Sequence, residues 1–567
     1  IPQRLLLKRQ RNQEFSALHM RDEDGLDLAQ DFVVFPSSTT DHDHQLMDDG
    51  YDSFKYLEKS TDFDSHNFPQ GEILHEASTA ELQIRQQNIQ FVRATKSDPS
   101  DLQAWLNLAN HQEYLVSPGA DAQSLTNTER QTLADMRIAI YEKALRHFPN
   151  SEAYKRERLV LELLHEASLA WDVQKYIRKL QEILQQHPES FPIWTRYLDA
   201  CQANPIDFRF EDVKAFFIRS LRTLGSKTEA GHELETRNML LYLILRYTVF
   251  LLDAGYDELS IAIWQAICEY HLFRPETLAA REDSQVLAEF EHFWEDETPR
   301  FGEVGAQGWL AASENDATAS DLQEPPPKDK INLNSPFKSF SVLERTTSEY
   351  LRFPGRTMHD TGADDPFHVV FFSDIRDVLE ATAYGLDHLN LLDAVLCYLG
   401  LPSVSLTTMT GKDTRSRPKW RSDVLLQHGL LQLSSSMSED SRTGEQRIDN
   451  YQASTDLLFS RVFQDFQVPA SEASAGNQQP TQGVMLFARR ILSTMVKYFS
   501  SNDDLAEYYL AFELSCFPKE ASKVAKSILK QRPSSPRLYN ACATIAAKLG
   551  QTERAAQIFS GAINMKS

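Results

Sequence analysis

The chain has 567 residues, too many for one compact core, because single cores stop growing at roughly 250–300 residues. It carries 81 acidic against 58 basic side chains, a net charge of -23, so it is not built as a whole to coat a phosphate backbone. Its five cysteines form no C-x-x-C pair and read as reduced, buried thiols of an intracellular protein; no run of ~18 apolar residues exists to span a membrane. No signal peptide is present, and a chain that starts at Ile1 reads as a fragment.

Residues 1–75 open with Arg4, Lys8, Arg9 and Arg11, then turn acidic and lose any sustained period. Short apolar clusters punctuate them: Phe32-Val33-Val34-Phe35, Leu46-Met47, Tyr51 with Phe54, Tyr56 and Leu57, and Ile73-Leu74. No self-sufficient core is encoded there. The pattern is that of an extended arm with anchors, which either orders on a partner or wraps its own body.

From residue 80 the period becomes helical. Leu82, Ile84, Ile89 and Phe91 precede the turn Ser97-Asp98-Pro99-Ser100; Leu102, Trp105, Leu106 and Leu108 follow at helical offsets. Residues 101–149 read as helix, loop, helix and a proline stop, since proline cannot continue the hydrogen-bond ladder. The unit recurs at 152–165 with 170–187, at 192–203 with 211–224, and at 234–254 with 258–270. It returns at 374–384 with 389–399, then at 504–515 with 520–530 and 536–549 with 552–563. One amphipathic pair cannot cover its own apolar stripe, whereas a stack shares a continuous core. Recurrent pairs of roughly 34–45 residues therefore predict an all-α solenoid, an α-α superhelix with a partly disordered N-terminal arm and disordered loops.

The predicted organisation is an arm at 1–75, a repeat block at 80–310, a linker rich in Asp, Ser and Pro at 311–335, and continuing repeats at 336–402. Helical segments with mobile loops follow at 403–483 and further repeats at 484–567. The run 290–309 stands apart, because the glycines at 302, 305 and 308 cannot be helix interior.

Catalytic signatures fail when tested. Gly411-Lys412-Asp413-Thr414 lacks the first glycine of a phosphate loop, position 406 being Leu406. His75-Glu76 and His165-Glu166 lack the second histidine of a zinc-protease helix. Asp41-His42-Asp43-His44, with His66, lies in an acidic stretch without a supporting shell and reads as solvated loop. No nucleophile elbow, dinucleotide fingerprint or kinase set occurs. The sequence thus predicts a non-enzymatic scaffold with no catalytic residue, cofactor or metal. The densest basic run, Lys412, Arg415, Arg417, Lys419, Trp420 and Arg421, interleaves charge with an aromatic and is a candidate for weak RNA contact.

Residues 137–149, with Arg137-Ile138-Ala139-Ile140-Tyr141-Glu142-Lys143-Ala144-Leu145 running to Pro149, resemble the second helix of a half-a-TPR (HAT) repeat. Three further stretches are similar to the nuclear-RNAi-defective (NRDE-type) family of HAT-repeat proteins. They are Asp98-Pro99-Ser100-Asp101-Leu102-Gln103-Ala104-Trp105-Leu106 with His111-Gln112-Glu113; the mid-chain signature with Phe293, Trp294, Pro299, Arg300, Gly302, Glu303, Gly308 and Trp309; and Asp364-Asp365-Pro366 with 369–375. The resemblance implies a nuclear scaffold in RNA surveillance, RNA-interference-linked heterochromatin silencing and splicing. It also implies a partner, the exosome-associated DExH-box RNA helicase of the Mtr type, bound just upstream of the repeats, with splicing factors as further partners and RNA contact indirect or weak. The arm's Phe32, Val33, Val34, Phe35, Leu46, Met47, Tyr51 and Phe54 are then the candidate helicase contacts. The alternative is a generic HAT assembly scaffold of the splicing or 3′-end machinery.

Overall fold

The structure, a computed structural model, describes residues 79–116, 126–149, 152–226, 233–278, 281–296, 298–314, 335–341, 343, 353–355, 369–404, 419–426, 429–431, 455–460, 462–463 and 481–564. All belong to the unit formed by residues 78–567. The chain is all-α; the extended pairing among the described residues is a single parallel bridge between Gly355 and Val369.

The first block runs α1 (Thr79–Ser97), α2 (Leu102–Val116), α3 (Asn127–Leu145), α4 (Ala153–Ala170), α5 (Val173–Gln186), α6 (Phe191–Gln202), α7 (Phe210–Gly225), α8 (Glu233–Asp253) and α9 (Asp257–Leu272). Each packs on the next, as a stack of helix pairs requires. Local sequence sets the ends. Thr126 and Glu129 form a capping box: the Thr126 amide donates to Glu129 Oε2 at 2.8 Å, and the Glu129 amide donates to Thr126 Oγ1 at 3.4 Å. In α2 the Trp105 indole N–H donates to the Pro99 carbonyl at 3.0 Å, and in α6 Trp194 does the same to Pro188 at 2.8 Å. Each ring fills the core while its one donor is satisfied by the turn before it, so the repeat extends to its hydrogen bonds. Some boundaries differ from the sequence reading: α4 continues past His165 to Ala170, so that α5 starts at Val173 and not at 170, and the helix expected at 374–384 spans Phe372–Ala381. The residues added to α4, Glu166-Ala167-Ser168-Leu169-Ala170, hold no breaker, and Ala167 packs inward.

Arginines tie neighbouring helices together. Arg137 of α3 donates to Glu113 of α2 at 3.1 Å, to Glu166 of α4 at 3.0 Å and to the Ala109 carbonyl at 3.2 Å. Arg246 of α8 pairs with Asp199 of α6 at 2.6 Å and lies over the Tyr242 ring.

Helix α9 is buried continuously from Ser260 to Tyr270, as its apolar residues on every side demand. After it come α10 (Asp283–Glu295), α11 (Trp309–Glu314), α12 (Phe372–Ala381) and α13 (His388–Leu399). α12 packs on α7, α9 and α10, and α13 packs on α8 and α9, so this pair extends the stack. The last helices are α14 (Thr455–Ser460), α15 (Thr481–Tyr498), α16 (Asp503–Cys516), α17 (Pro518–Gln531), α18 (Pro536–Lys548) and α19 (Thr552–Asn564). α16, buried from Asp504 to Glu513, is their centre, touching α14, α15, α17 and α18. Arg489 of α15 donates to both Glu513 oxygens, at 2.6 and 2.8 Å, and to Glu520 of α17 at 2.7 Å. One hydrophobic cluster runs from Trp105 to Ile545. No helix among the described residues is long and apolar enough to cross a membrane.

Candidate functional site

The mid-chain signature is assembled on two polar side chains of α9, Gln265 and Glu269. They stand four residues apart, hence on one face of a helix that is mainly apolar between Ser260 and Tyr270. Gln265 Nε2 donates to the Phe301 carbonyl at 3.1 Å and to Glu303 Oε1 at 3.0 Å. The Trp309 amide donates to Glu269 Oε2 at 2.8 Å. The loop between α10 and α11 is thereby held at its middle and at its end. Burial raises the Glu269 carboxyl to about 8; the Trp309 and Phe301 amides pull it down, and the nearby Glu303 charge pushes it up.

The loop closes on itself through Arg300. Its guanidinium lies 3.8 Å from the centroid of the Trp294 ring and donates to the Trp294 carbonyl at 3.0 Å, while its amide donates to Glu303 Oε2 at 3.0 Å. The Trp294 indole donates to the Val370 carbonyl at 3.0 Å, which pins the start of α12 to the end of α10. Gly302 and Gly308 have φ of +84° and +91°, a left-handed region open to glycine. Space demands glycine as well: a Cβ at Gly302 would lie 2.4 Å from Phe487 of α15, and one at Gly308 would lie 3.0 Å from Phe273.

The outer side of this loop receives the C-terminal helices. Arg490 Nε of α15 donates to the Gly302 carbonyl at 2.6 Å. Phe273, at the end of α9, packs on Phe301 and on Tyr498, whose hydroxyl lies 3.0 Å from His388 Nδ1. Phe293, Trp294, Pro299, Arg300, Gly302, Gly308 and Trp309 are buried, and Glu303 is half-buried. The signature residues therefore converge on one place, a joint between α9, the last helix of the first block, and α15. The polar bonds named here all hold protein to protein, while the second oxygen of Glu269 and the amide oxygen of Gln265 are buried without a hydrogen-bond partner.

The basic run divides. Arg415 and Arg417 lie outside the described residues, as does the side chain of Lys419. Trp420 and Arg421 are corrected: Trp420 is 1% exposed, and its indole donates to Asp393 Oδ2 of α13 at 2.8 Å. Arg421 forks onto the same carboxylate at 2.9 and 3.1 Å and reaches the Leu401 carbonyl at 2.9 Å. A ring closed in this way cannot stack on a base. Ser403 Oγ also donates to Asp393, at 2.6 Å, so one carboxylate gathers both flanks of the segment 404–419. Burial alone would raise the Asp393 pKa, but the Arg421 charge and the bonds from Arg421, Ser403 and Trp420 hold it below the usual carboxylate range.

Phe32, Val33, Val34, Phe35, Leu46, Met47, Tyr51 and Phe54, and the Asp41–His44 run, lie outside the described residues. Sequence reasoning missed Gln265, Glu269, Asp393 and Arg490. For the first two a signal existed: a polar pair at i, i+4 in an apolar run. Asp393 and Arg490 had none, because their partners are distant in sequence.

A family model described as "NRDE-2, necessary for RNA interference" matches residues 86–404, more than half of the chain and all of the mid-chain signature. The chain belongs to the NRDE-2 family. The NRDE2 homolog of Schizosaccharomyces pombe is 26% identical over 330 residues, covering 54% of this chain and 32% of that protein. The mouse protein named nuclear exosome regulator NRDE2 is 26% identical over 342 residues, 55% of this chain and 29% of the relative. The human protein of the same name is 26% identical over 343 residues, with the same shares. The matched stretch thus spans about a third of the length of these relatives. In NRDE-2 terms, the joint lies inside the matched region and the α15 face that closes it lies outside.

Proposed function

We propose that this chain is a non-enzymatic nuclear scaffold of RNA surveillance. In this reading the arm at 1–75 binds an exosome-associated DExH-box helicase of the Mtr type, and the helical body serves RNA-interference-linked silencing and splicing by holding other proteins. Membership of the NRDE-2 family carries the reading, since relatives in mouse and human bear the name nuclear exosome regulator. The body supports it: the described buried charges of the joint are engaged in structural bonds, as expected of a scaffold rather than a reaction centre.

Deletion of residues 1–75 tests the assignment. The truncated chain should lose capture of the purified helicase while its far-UV circular dichroism remains helical, and Phe32→Ser with Phe35→Ser should weaken capture in the same direction. Undiminished capture by the truncated chain would sink the helicase assignment. A stable dimer through the helical body, seen by light scattering, would favour the generic assembly scaffold instead.

A further inference from the structure

Three turns of the first block lie along one edge of the stack. They join α4 to α5 at 171–172, α6 to α7 at 203–209, and α8 to α9 at 254–256. Their adjacency is direct. Gln174, at the start of α5, donates to Asp207 Oδ2 at 3.1 Å. Phe208 and Phe210 face Phe250 at 6.3 and 5.3 Å, and Phe210 stacks on Tyr256 at 4.4 Å and 13°.

That edge is apolar where turns are ordinarily polar. Ile206 is 84% exposed, Leu169 67%, Val173 47% and Phe208 44%, with Trp171, Phe210 and Phe250 partly open beside them. Isolated exposed apolar residues are ordinary, but a row crossing three successive repeats is a contiguous patch of the kind that marks an interaction surface. Behind its lip, between α5, α6 and α7, opens a cleft of about 370 Å³ with Ile177, Tyr197, Val213 and Phe216 among its walls. That volume admits a large side chain.

Charge decides what kind of occupant fits. Each turn sets a carboxylate beside its apolar residues: Asp172 between Trp171 and Val173, Asp207 between Ile206 and Phe208, and Asp253 and Asp257 around Tyr256. Lys175 and Arg209 are the bases of these turns; inside the cleft Arg178 and Arg209 balance Asp207 and Asp212, so the acidic excess lies on the rim, at Asp172, Asp253 and Asp257. Lys175 is folded over the Trp171 ring at 4.2 Å, which shows that an aromatic of this edge accepts a cation on its face. A polyanion is repelled by such an edge. We propose that this edge and its cleft dock a protein segment carrying a large apolar side chain flanked by lysine or arginine. The apolar side chain enters the cleft, and the bases meet the turn carboxylates on its rim.

The test uses the full chain and three labelled synthetic peptides in fluorescence polarisation. One alternates leucine and phenylalanine with lysine, one replaces each lysine by glutamate, and one keeps the lysines but replaces the apolar residues by serine. The first should bind at least tenfold more tightly than the other two and weaken with added salt. Ile206→Ser with Phe208→Ser should cut its affinity at least tenfold, with circular dichroism and Tm unchanged, as should Leu169→Ser with Val173→Ser on the adjoining turn. Equal binding of the three peptides, or unchanged binding by both variants, would overturn the proposal. So would a concentration-dependent self-association that these substitutions abolish, since the face would then belong to a second copy of the chain. Preferential binding of single-stranded RNA at the same edge would overturn it too.

Discussion

Glu269 is a carboxyl placed where its charge is disfavoured, in the middle of a helix buried on every side. Its pKa is about 8 in the folded chain, above the ordinary carboxylate value it regains on unfolding. Between those two values the folded state holds the extra proton. The group therefore costs nothing below the unfolded pKa, and it removes stability progressively as pH rises towards 8. Glu269→Gln keeps an oxygen for the Trp309 amide and removes the titration. The variant's stability should exceed that of the parent at pH 8 by an amount on the order of a few kcal/mol, and the difference should shrink towards pH 5. Urea unfolding of both chains at several pH values measures this; parallel pH profiles would remove Glu269 as the titrating group. Gly302 limits the same joint sterically. Gly302→Ala adds a Cβ at a positive φ and against Phe487, and should lower stability by about 2–4 kcal/mol. The matching change at Gly550, where φ is +79° but nothing lies within reach of a Cβ, should cost only the backbone part, about 1 kcal/mol.

At the scale of elements, the Asp393 clasp is the clearest case of one side chain ordering a segment. Asp393→Ala leaves Arg421 and the Trp420 indole without their shared carboxylate acceptor in the middle of α13. Breaking a largely buried pair from one side costs about 3 kcal/mol. Trypsin should then cut after Arg421 well before it cuts after the buried Arg246 within α8, whereas in the parent chain both should be protected; equal protection in the variant would show that the clasp does not hold the segment. The helices themselves were legible from sequence because their cause is local. Apolar spacing and the proline stops at 149 and 188 state where helices begin and end, and the structure departs by a few residues, as at the end of α4. What Trp420 and Arg421 do was not legible. A basic run with an aromatic has the same local pattern whether it faces solvent or a buried carboxylate 27 residues away, and only the packing of α13 decides. The signature glycines are intermediate: their number excluded helix, but the reason for a glycine at 302 is Phe487, a residue 185 positions later.

At the scale of the whole molecule, a helical stack ordinarily communicates only between nearest neighbours, so its ends can unfold independently. The described unit departs from that rule at the joint. The loop between α10 and α11 is gripped from inside by α9 and from outside by α15, through Arg490 to the Gly302 carbonyl and through Phe487 and Ile491 against the Gly302 backbone. Burial lowers the pKa of the Arg490 guanidinium, with Glu303 acting in the opposite direction, so this is a side chain embedded in the contact rather than a solvated strut. The distribution of tryptophan allows the coupling to be read. All seven tryptophans lie between residues 105 and 420, and none lies in α15–α19. Tryptophan fluorescence therefore reports the first block and the joint, while circular dichroism reports every helix. With the joint intact the two signals should trace one urea transition, the mark of a single cooperative unit. Arg490→Ala removes the bond to Gly302 and leaves that buried carbonyl with one acceptor site unfilled, a loss of about 1–3 kcal/mol that falls on the seam and not within either block. In the variant, ellipticity should decline at lower urea than fluorescence, because α15–α19 are released before the tryptophan-bearing helices unfold. If the two signals still coincide, the two halves are coupled elsewhere, and the signature joint is a local brace of α9 and α10 only.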